Sequence, residues 1–214
     1  MSRSDLSSRT PSCAIGFDTT GTVIDLALLE NGAVLRRHEV DAQFNHSERL
    51  FPLLADLLDE AGKSWHEVTL IGVGTGPGHF NGVRIGVAAA RGLSLALGIP
   101  AVGVNHFDAL AHNLPHPHVV VAPTRGSLIC ARQSDADLPF RCSIHDLIGL
   151  MDSGMFVSGH MCKEIAAASG AIAVVQRIPL AVAIATIAGE RALGAVSPPS
   201  PYYMEAPLAK PARP

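Results

Sequence analysis

The first half of this 214-residue chain predicts an α/β fold in which a hairpin-bearing mixed sheet is covered by helices. Three observations carry that reading. Two strand-like runs, CAIGFD (13–18) and VIDLALLE (23–30), are followed by Asn31-Gly32, the strongest hairpin dipeptide. Leu50, Leu53, Leu54, Leu57, Leu58 and Ala61 recur at helical spacing. The run VTLIGVG (68–74) is apolar throughout, as in a strand buried on both faces, and leads into a glycine loop and a long helix.

Taken in order, AVLRRHEV (33–40) is the third strand, returning from the Asn-Gly turn. The leucine stripe belongs to a helix over 47–61, with Ser47 as N-cap, Pro52 near the first turn and Gly62 closing it. After the strand at 68–74, a helix spans 80–97 and stops at Gly98, with Pro100 just beyond. AVGV (101–104) is a further strand and HFDALAHNL a further helix. The resulting order β-β-β-α-β-α-β describes one compact unit. Beyond it, HVVVAP, SLICAR, MFVSG and AIAVV predict short strands, and a helix with Pro179 at N1 runs to Leu193, ended by Gly194. That helix, LAVAIATIAG, is apolar nearly all round and belongs in the interior. The end from Ser197 is Pro-rich and extended.

Composition narrows the function classes. Hydrophobic residues make up 48% and charged residues 16%, and the net charge is −3, so no field draws the chain to nucleic acid or an anionic membrane. The longest apolar stretches are broken by Arg91 and by Gln176-Arg177, which leaves no candidate membrane span. Cys13, Cys130, Cys142 and Cys162 form neither a CxxC pair nor a disulfide framework, which fits a reducing cytoplasm. Residues 1–12 lack the apolar core of a secretory signal and read as a disordered lead-in.

Two stretches carry possible chemistry. In GTGPGHFNGVRIG (74–86), glycines before a helix N-terminus suit either an anion cradle or a tight strand-to-helix turn; the spacing is not a Walker motif, and no lysine follows. Gly82, Gly86, Ala89, Ala90 and Gly92 put small residues on successive turns, and each helical glycine costs about 1 kcal/mol relative to Ala. Close backbone approach compensates, either to the helix's own sheet or to a partner helix. DTTGT (18–22) places a carboxylate and hydroxyls at a strand end, where a metal–phosphate loop or an ordinary polar turn would use them. The cluster His112, His116 and His118 spans two prolines and lacks metal-site spacing, and neither HExxH nor paired catalytic carboxylates stand out.

In sequence order, IGFDTTGTVIDLALLENGAVL, HSERLFPLLADLLDEAG and the glycine-motif segment resemble the bacterial TsaB (YeaZ) family over residues 13–111, with GxGPGxFxGxRIG the most specific part; SPPSPYYMEA resembles that family's C-terminus. The resemblance implies two tandem RNase H-like lobes of the actin and sugar-kinase ATPase superfamily, with mixed sheets flanked by helices. The expected division is a lead-in at 1–12, an N-terminal lobe at 13–108, a shorter, degenerate C-terminal lobe at 109–196 and a tail at 197–214. It also implies a noncatalytic role in forming N6-threonylcarbamoyladenosine beside the anticodon of tRNAs reading ANN codons. In that reading the chemistry, ATP and metal sit on the paralogous TsaD, the ATPase TsaE joins the pair, tRNA is met through the complex, and the chain alone forms a homodimer.

The residues expected to bind a partner are Leu50, Phe51, Leu54, Leu58, Gly82, Arg84, Gly86, Ala89, Ala90, Arg91 and Gly92; the candidate nucleotide positions are Asp18, Thr19, Thr20, Gly76 and Gly78. No catalytic residue, metal ligand or cofactor is assigned to this chain. Two departures from the family stand out: His79-Phe80-Asn81 replaces Ser-Phe-Thr, and PTRGSLICAR stands where an acidic DARR-type stretch opens the second lobe. The competing reading is a stand-alone ATP-dependent enzyme or metallopeptidase, against which the second half offers no DGG, DxG or GG loop.

Overall fold

A computed structural model describes residues 11–42, 45–124, 126–136, 138–175 and 178–204. Most of the expected lead-in and the last ten residues of the expected tail therefore lie outside the described residues.

The chain forms two five-stranded sheets of matching topology. The first contains β1 (Cys13–Asp18), β2 (Val23–Glu30), β3 (Ala33–Asp41), β4 (Leu70–Gly74) and β5 (Ala101–Val104), in the order β3-β2-β1-β4-β5. The second contains β6 (His118–Pro123), β7 (Ile129–Gln133), β8 (Phe140–Cys142), β9 (Phe156–Gly159) and β10 (Ile172–Ala173), ordered β10-β9-β6-β7-β8. Read from the meander edge, both sheets run antiparallel through three strands and then add two parallel ones. Helices follow the same duplicated plan. α1 (His46–Glu60), α2 (Phe80–Leu97) and α3 (His106–Ala111) belong to the first half, and α4 (Ile144–Gly149), α5 (Cys162–Ser169) and α6 (Leu180–Arg191) to the second.

The first sheet is sandwiched. One face packs on α1 and α2 through Phe17, Ile15, Ile71, Leu50, Leu54, Leu57 and Leu58, all at most 1% exposed. The other face is covered by α6, although α6 follows the second sheet in sequence, while α3 packs against β6 and β9 of the second sheet. The two lobes thus exchange their third helices. α6 sits close because the sheet beneath it is glycine at the crossing: a methyl on Gly16 would overlap the Ala181 carbonyl oxygen, and one on Gly72 would lie 2.9 Å from Ala188 Cβ. The all-round apolar character read from LAVAIATIAG is the signature of this interior position.

Local boundaries differ in instructive places. α1 starts at His46, with Asn45 at the N-cap, instead of being capped by Ser47, and Pro52 consequently lies in its second turn, on the exposed side. β4 begins at Leu70 because Trp65–Glu67 form a 3₁₀ turn closed by a Ser64–Glu67 capping box. α2 ends as expected, Gly98 taking the left-handed conformation at φ 66°. Pro179 is the N-cap of α6, not its first residue. The expected strand over AIAVV pairs only at Ile172–Ala173. Among the described residues, no helix is long and apolar enough to cross a membrane.

Candidate functional site

Asp18 ends β1 and turns the chain into the hairpin. It is 4% exposed, and both of its oxygens are engaged. Oδ2 accepts from the Thr20 backbone N–H at 3.1 Å and from Thr20 Oγ1 at 2.9 Å, while His106 Nε2 lies 2.9 Å from Oδ1 and 3.0 Å from Thr20 Oγ1. The Thr20 hydroxyl proton is directed to Asp18, so the shared donor at His106 is its Nε2–H. Burial acts to raise the Asp18 carboxyl, but the His106 charge and the bonds from His106 and Thr20 prevail and hold it below the ordinary aspartate range. The His106 backbone N–H also donates to the Gly76 carbonyl at 2.7 Å. One side chain therefore ties the DTT turn to the start of α3, and the same residue ties that start to the glycine loop.

The glycine motif closes around this turn. A methyl on Gly74 would overlap Asp18 Oδ1, and one on Gly82 would overlap the Thr19 carbonyl oxygen; at Gly78 and Gly86 it would stand 2.5 Å from Thr20 Cβ and Thr19 Oγ1. Thr19 Oγ1 donates to the Gly82 carbonyl at 2.8 Å, and the His79 N–H, at the N-cap of α2, donates to the Thr20 carbonyl at 2.7 Å. The sequence-assigned positions Asp18, Thr19, Thr20, Gly76 and Gly78 are thus brought together, with the glycine loop closed against the chain's own turn. Thr19 is fully buried. Among the described residues, no group of three or more His, Cys, Asp or Glu is placed to hold a metal ion.

The corner itself opens on a cavity of about 550 Å³, lined by Asp18, Thr20, Asp25, Arg37, Glu39 and His106, among others. Asp25 is the cross-strand partner of Asp18, and its Oδ2 accepts from the Ala181 N–H at 3.0 Å in the first turn of α6. Arg37 Nε stands 3.4 Å from the other oxygen, and Arg37 also pairs with Glu39. Burial, with the nearby negative charges of Asp18 and Glu39, pushes the Asp25 carboxyl up, against the pull of the Ala181 N–H and Arg37. Sequence reasoning missed Asp25. Its signal was a lone carboxylate inside the apolar run VIDLALL.

The second candidate region is the outer face of α1 and α2, where the structure corrects much of the expected partner set. Leu50, Leu54 and Leu58 are 0–1% exposed and face the chain's own sheet. Gly82 and Gly86 abut Thr19, and Ala89 and Ala90 are buried beside them, so close approach to the chain's own turn and sheet is what the small residues serve. Phe51, Arg84, Arg91 and Gly92 do lie on the surface, Phe51 at 47% exposure and Gly92 with open space where a side chain would stand. Two surface residues were overlooked: Ala88 and Leu95, the latter 87% exposed. Their signal was helical phase, since 84, 88, 91 and 95 advance by three or four residues along one face.

Arg84 is held in place by the C-terminal segment. Its Nε donates to Tyr203 Oη at 2.9 Å, and its guanidinium lies 3.7 Å over the Phe80 ring, which itself packs on Tyr203. Tyr202 N–H donates to the Thr75 carbonyl at 2.8 Å, so the segment crosses the glycine loop to reach α2. Among the described residues, neither Arg84 nor Arg91 forms an ion pair.

Duplicated β-β-β-α-β-α-β-α lobes that exchange their third helices define a two-lobed protein with the actin and sugar-kinase ATPase fold. The activator of 2-hydroxyisocaproyl-CoA dehydratase from Clostridium difficile, solved with bound ADPNP, shares the fold at a TM-score of 0.54 and 9% identity over 84% of this chain and 95% of that one. YeaZ from Pseudomonas aeruginosa aligns at a TM-score of 0.66 and 25% identity over 84% of this chain and 91% of that one. The profile of the family described as "TsaD: tRNA N6-adenosine threonylcarbamoyltransferase" matches residues 40–135. The tRNA threonylcarbamoyladenosine biosynthesis protein TsaB of Escherichia coli (strain K12) is 33% identical over 97 residues, 45% of this chain and 42% of that protein. Over its first half the chain is similar in sequence to TsaB proteins, and its fold is similar to that of YeaZ. Its aligned region spans less than half the length of this curated relative.

Proposed function

We propose that this chain is a noncatalytic partner subunit in the formation of N6-threonylcarbamoyladenosine beside the anticodon of tRNAs reading ANN codons. It docks on the threonylcarbamoyltransferase subunit TsaD, which carries the ATP and metal, while the ATPase TsaE joins the pair and tRNA is met through the complex. The observation that carries this reading is the division of labour along α2. One side of the helix is spent on the chain's own DTT turn, and the other presents Arg84, Ala88, Arg91, Gly92 and Leu95 to the outside, with Phe51 exposed on α1. A leucine 87% exposed beside small residues is surface that a second helix pair can approach closely. Alone, the chain covers the same face with a second copy.

Sedimentation of the purified chain, alone and with TsaD from the same cell, tests the reading. Leu95→Glu and Gly92→Leu are expected to abolish both associations while circular dichroism stays unchanged. Folded variants that retain both would place the interface elsewhere. ATP turnover by the isolated chain that is lost in Asp18→Ala would replace the noncatalytic reading with that of an ATP-dependent enzyme.

A further inference from the structure

The crossing between the lobes carries a charged cluster that neither the fold nor the proposed docking face requires. Asp108, on α3, accepts from Arg132 Nη1 at 2.7 Å through one carboxylate oxygen and from Arg191 Nη2 at 2.5 Å through the other. Arg132 belongs to β7 of the second sheet, and Arg191 ends α6, the helix laid on the first sheet. The carboxylate is also fixed locally. Asn105 Nδ2 donates to Asp108 Oδ2 at 2.8 Å, and Asp108 N–H returns a bond to Asn105 Oδ1 at 2.9 Å. Each arginine has a second anchor: Arg191 Nη1 donates to the Gly103 carbonyl at 3.1 Å, and the Arg132 guanidinium lies 5.4 Å over the Phe107 ring.

These bonds join three elements that the chain reaches at residues 108, 132 and 191: α3, the second sheet on which α3 packs, and α6 on the first sheet. Apolar contact of Phe107 with Val120, Ala122 and Cys130 holds the lobes together, but such contact is non-directional. Charge-assisted bonds to both oxygens of one carboxylate are directional and set the angle at which α3, β7 and α6 meet. Asp108 and Arg132 are only 20% and 18% exposed at their side chains, so solvent screens this pair less than it screens a surface ion pair. α6 is thereby pinned at both ends, by Asp25 at its first turn and by Asp108 through Arg191 at its last.

We propose that Asp108 is a latch that locks the two lobes into a single relative orientation. With the latch closed, the lobes do not hinge about their crossing, and the cavity between Asp25 and the α6 N-terminus keeps one shape.

The test uses the full chain carrying spin labels at two exposed helix positions, Asp56→Cys on α1 and Lys163→Cys on α5, with Cys142→Ser so that the remaining native cysteines are the buried ones. Pulsed dipolar spectroscopy is expected to give one narrow inter-lobe distance with Asp108 intact. It is expected to give a broadened or two-peaked distribution in Asp108→Ala and in Arg191→Gln, with circular dichroism unchanged. Arg191→Gln severs only the arm to α6, the helix laid on the first sheet, and reads the same link if Asp108→Ala fails to fold. A broad distribution with the latch intact, or a folded Arg191→Gln with the same narrow peak, overturns the proposal.

Discussion

Asp25 and Ala181 stand 156 residues apart and share a 3.0 Å hydrogen bond in which the buried carboxylate of β2 caps the backbone of α6. The helix has no side-chain cap of its own, Pro179 occupying the N-cap, so a strand of the other lobe satisfies one of its free N–H groups. Asp25→Ala leaves that N–H buried without a partner. We expect a loss of roughly 1–3 kcal/mol in urea unfolding. A loss of only a few tenths would mean that the cap is redundant.

The two carboxylates of this strand pair predict opposite pH responses. Asp18 titrates below the ordinary value of 3.8, so its contribution is present above that value and is lost as pH falls through the folded one. Asp25 titrates above 3.8, so its contribution is present below that value and is lost as pH rises through the folded one. Unfolding measured from pH 3 to 6 should show a shallower acid-side loss in Asp18→Asn than in the parent chain. In Asp25→Asn the decline on the rising side should disappear.

Asp18→Asn should also cost more than the roughly 1 kcal/mol expected of a turn residue, because it breaks a bond network shared with His106 and Thr20. About 1–3 kcal/mol is expected from the buried polar groups left behind. His106→Gln, which still donates a neutral hydrogen bond, should cost less than His106→Ala. Equal costs for the two would show that the bond to Asp18 contributes nothing.

Glycines of one helix should respond in opposite directions. Gly82→Ala drives a methyl into the Thr19 carbonyl and should destabilise by about 1–3 kcal/mol. Gly92→Ala meets open space and should stabilise by up to about 1 kcal/mol through helix propensity. Thermal unfolding of the two variants decides the matter, and equal effects of the same sign would contradict the packing described.

Arg91→Ala tests the electrostatic edge of the docking face. Association with TsaD should weaken rather than vanish and become less sensitive to salt, as expected when a rim charge is removed. Titrations at two ionic strengths measure it, and an unchanged salt slope would remove Arg91 from the interface.

Much of the first lobe was legible because its signals are local. An apolar run before Asn31-Gly32, a leucine stripe, and a helix stopped by a left-handed Gly98 need no distant partner to be read. The second lobe was harder. β8 has three residues, and α4 and α5 have six and eight, too short for periodicity to register, although the Ser143–Asp146 capping box marks the start of α4 in the sequence. Leu50, Leu54 and Leu58 show why an apolar stripe does not announce its partner: the same pattern serves a helix that covers its own sheet and one that covers another molecule.

By itself the sequence determined the alternation of strands and helices in the first lobe, the hairpin, and the leucine stripe of α1. Only the tertiary structure decided what each small residue of α2 is for. Gly86 and Gly92 are six residues apart, which turns them by about 240° around the helix axis. The first therefore meets Thr19 Oγ1 at the back of the helix, and the second opens to the outside. Both glycines are the same letter in the same helix. Their roles separate only because β1 delivers the DTT turn to one side of α2, a placement that depends on parallel pairing of residues 14–17 with 70–73.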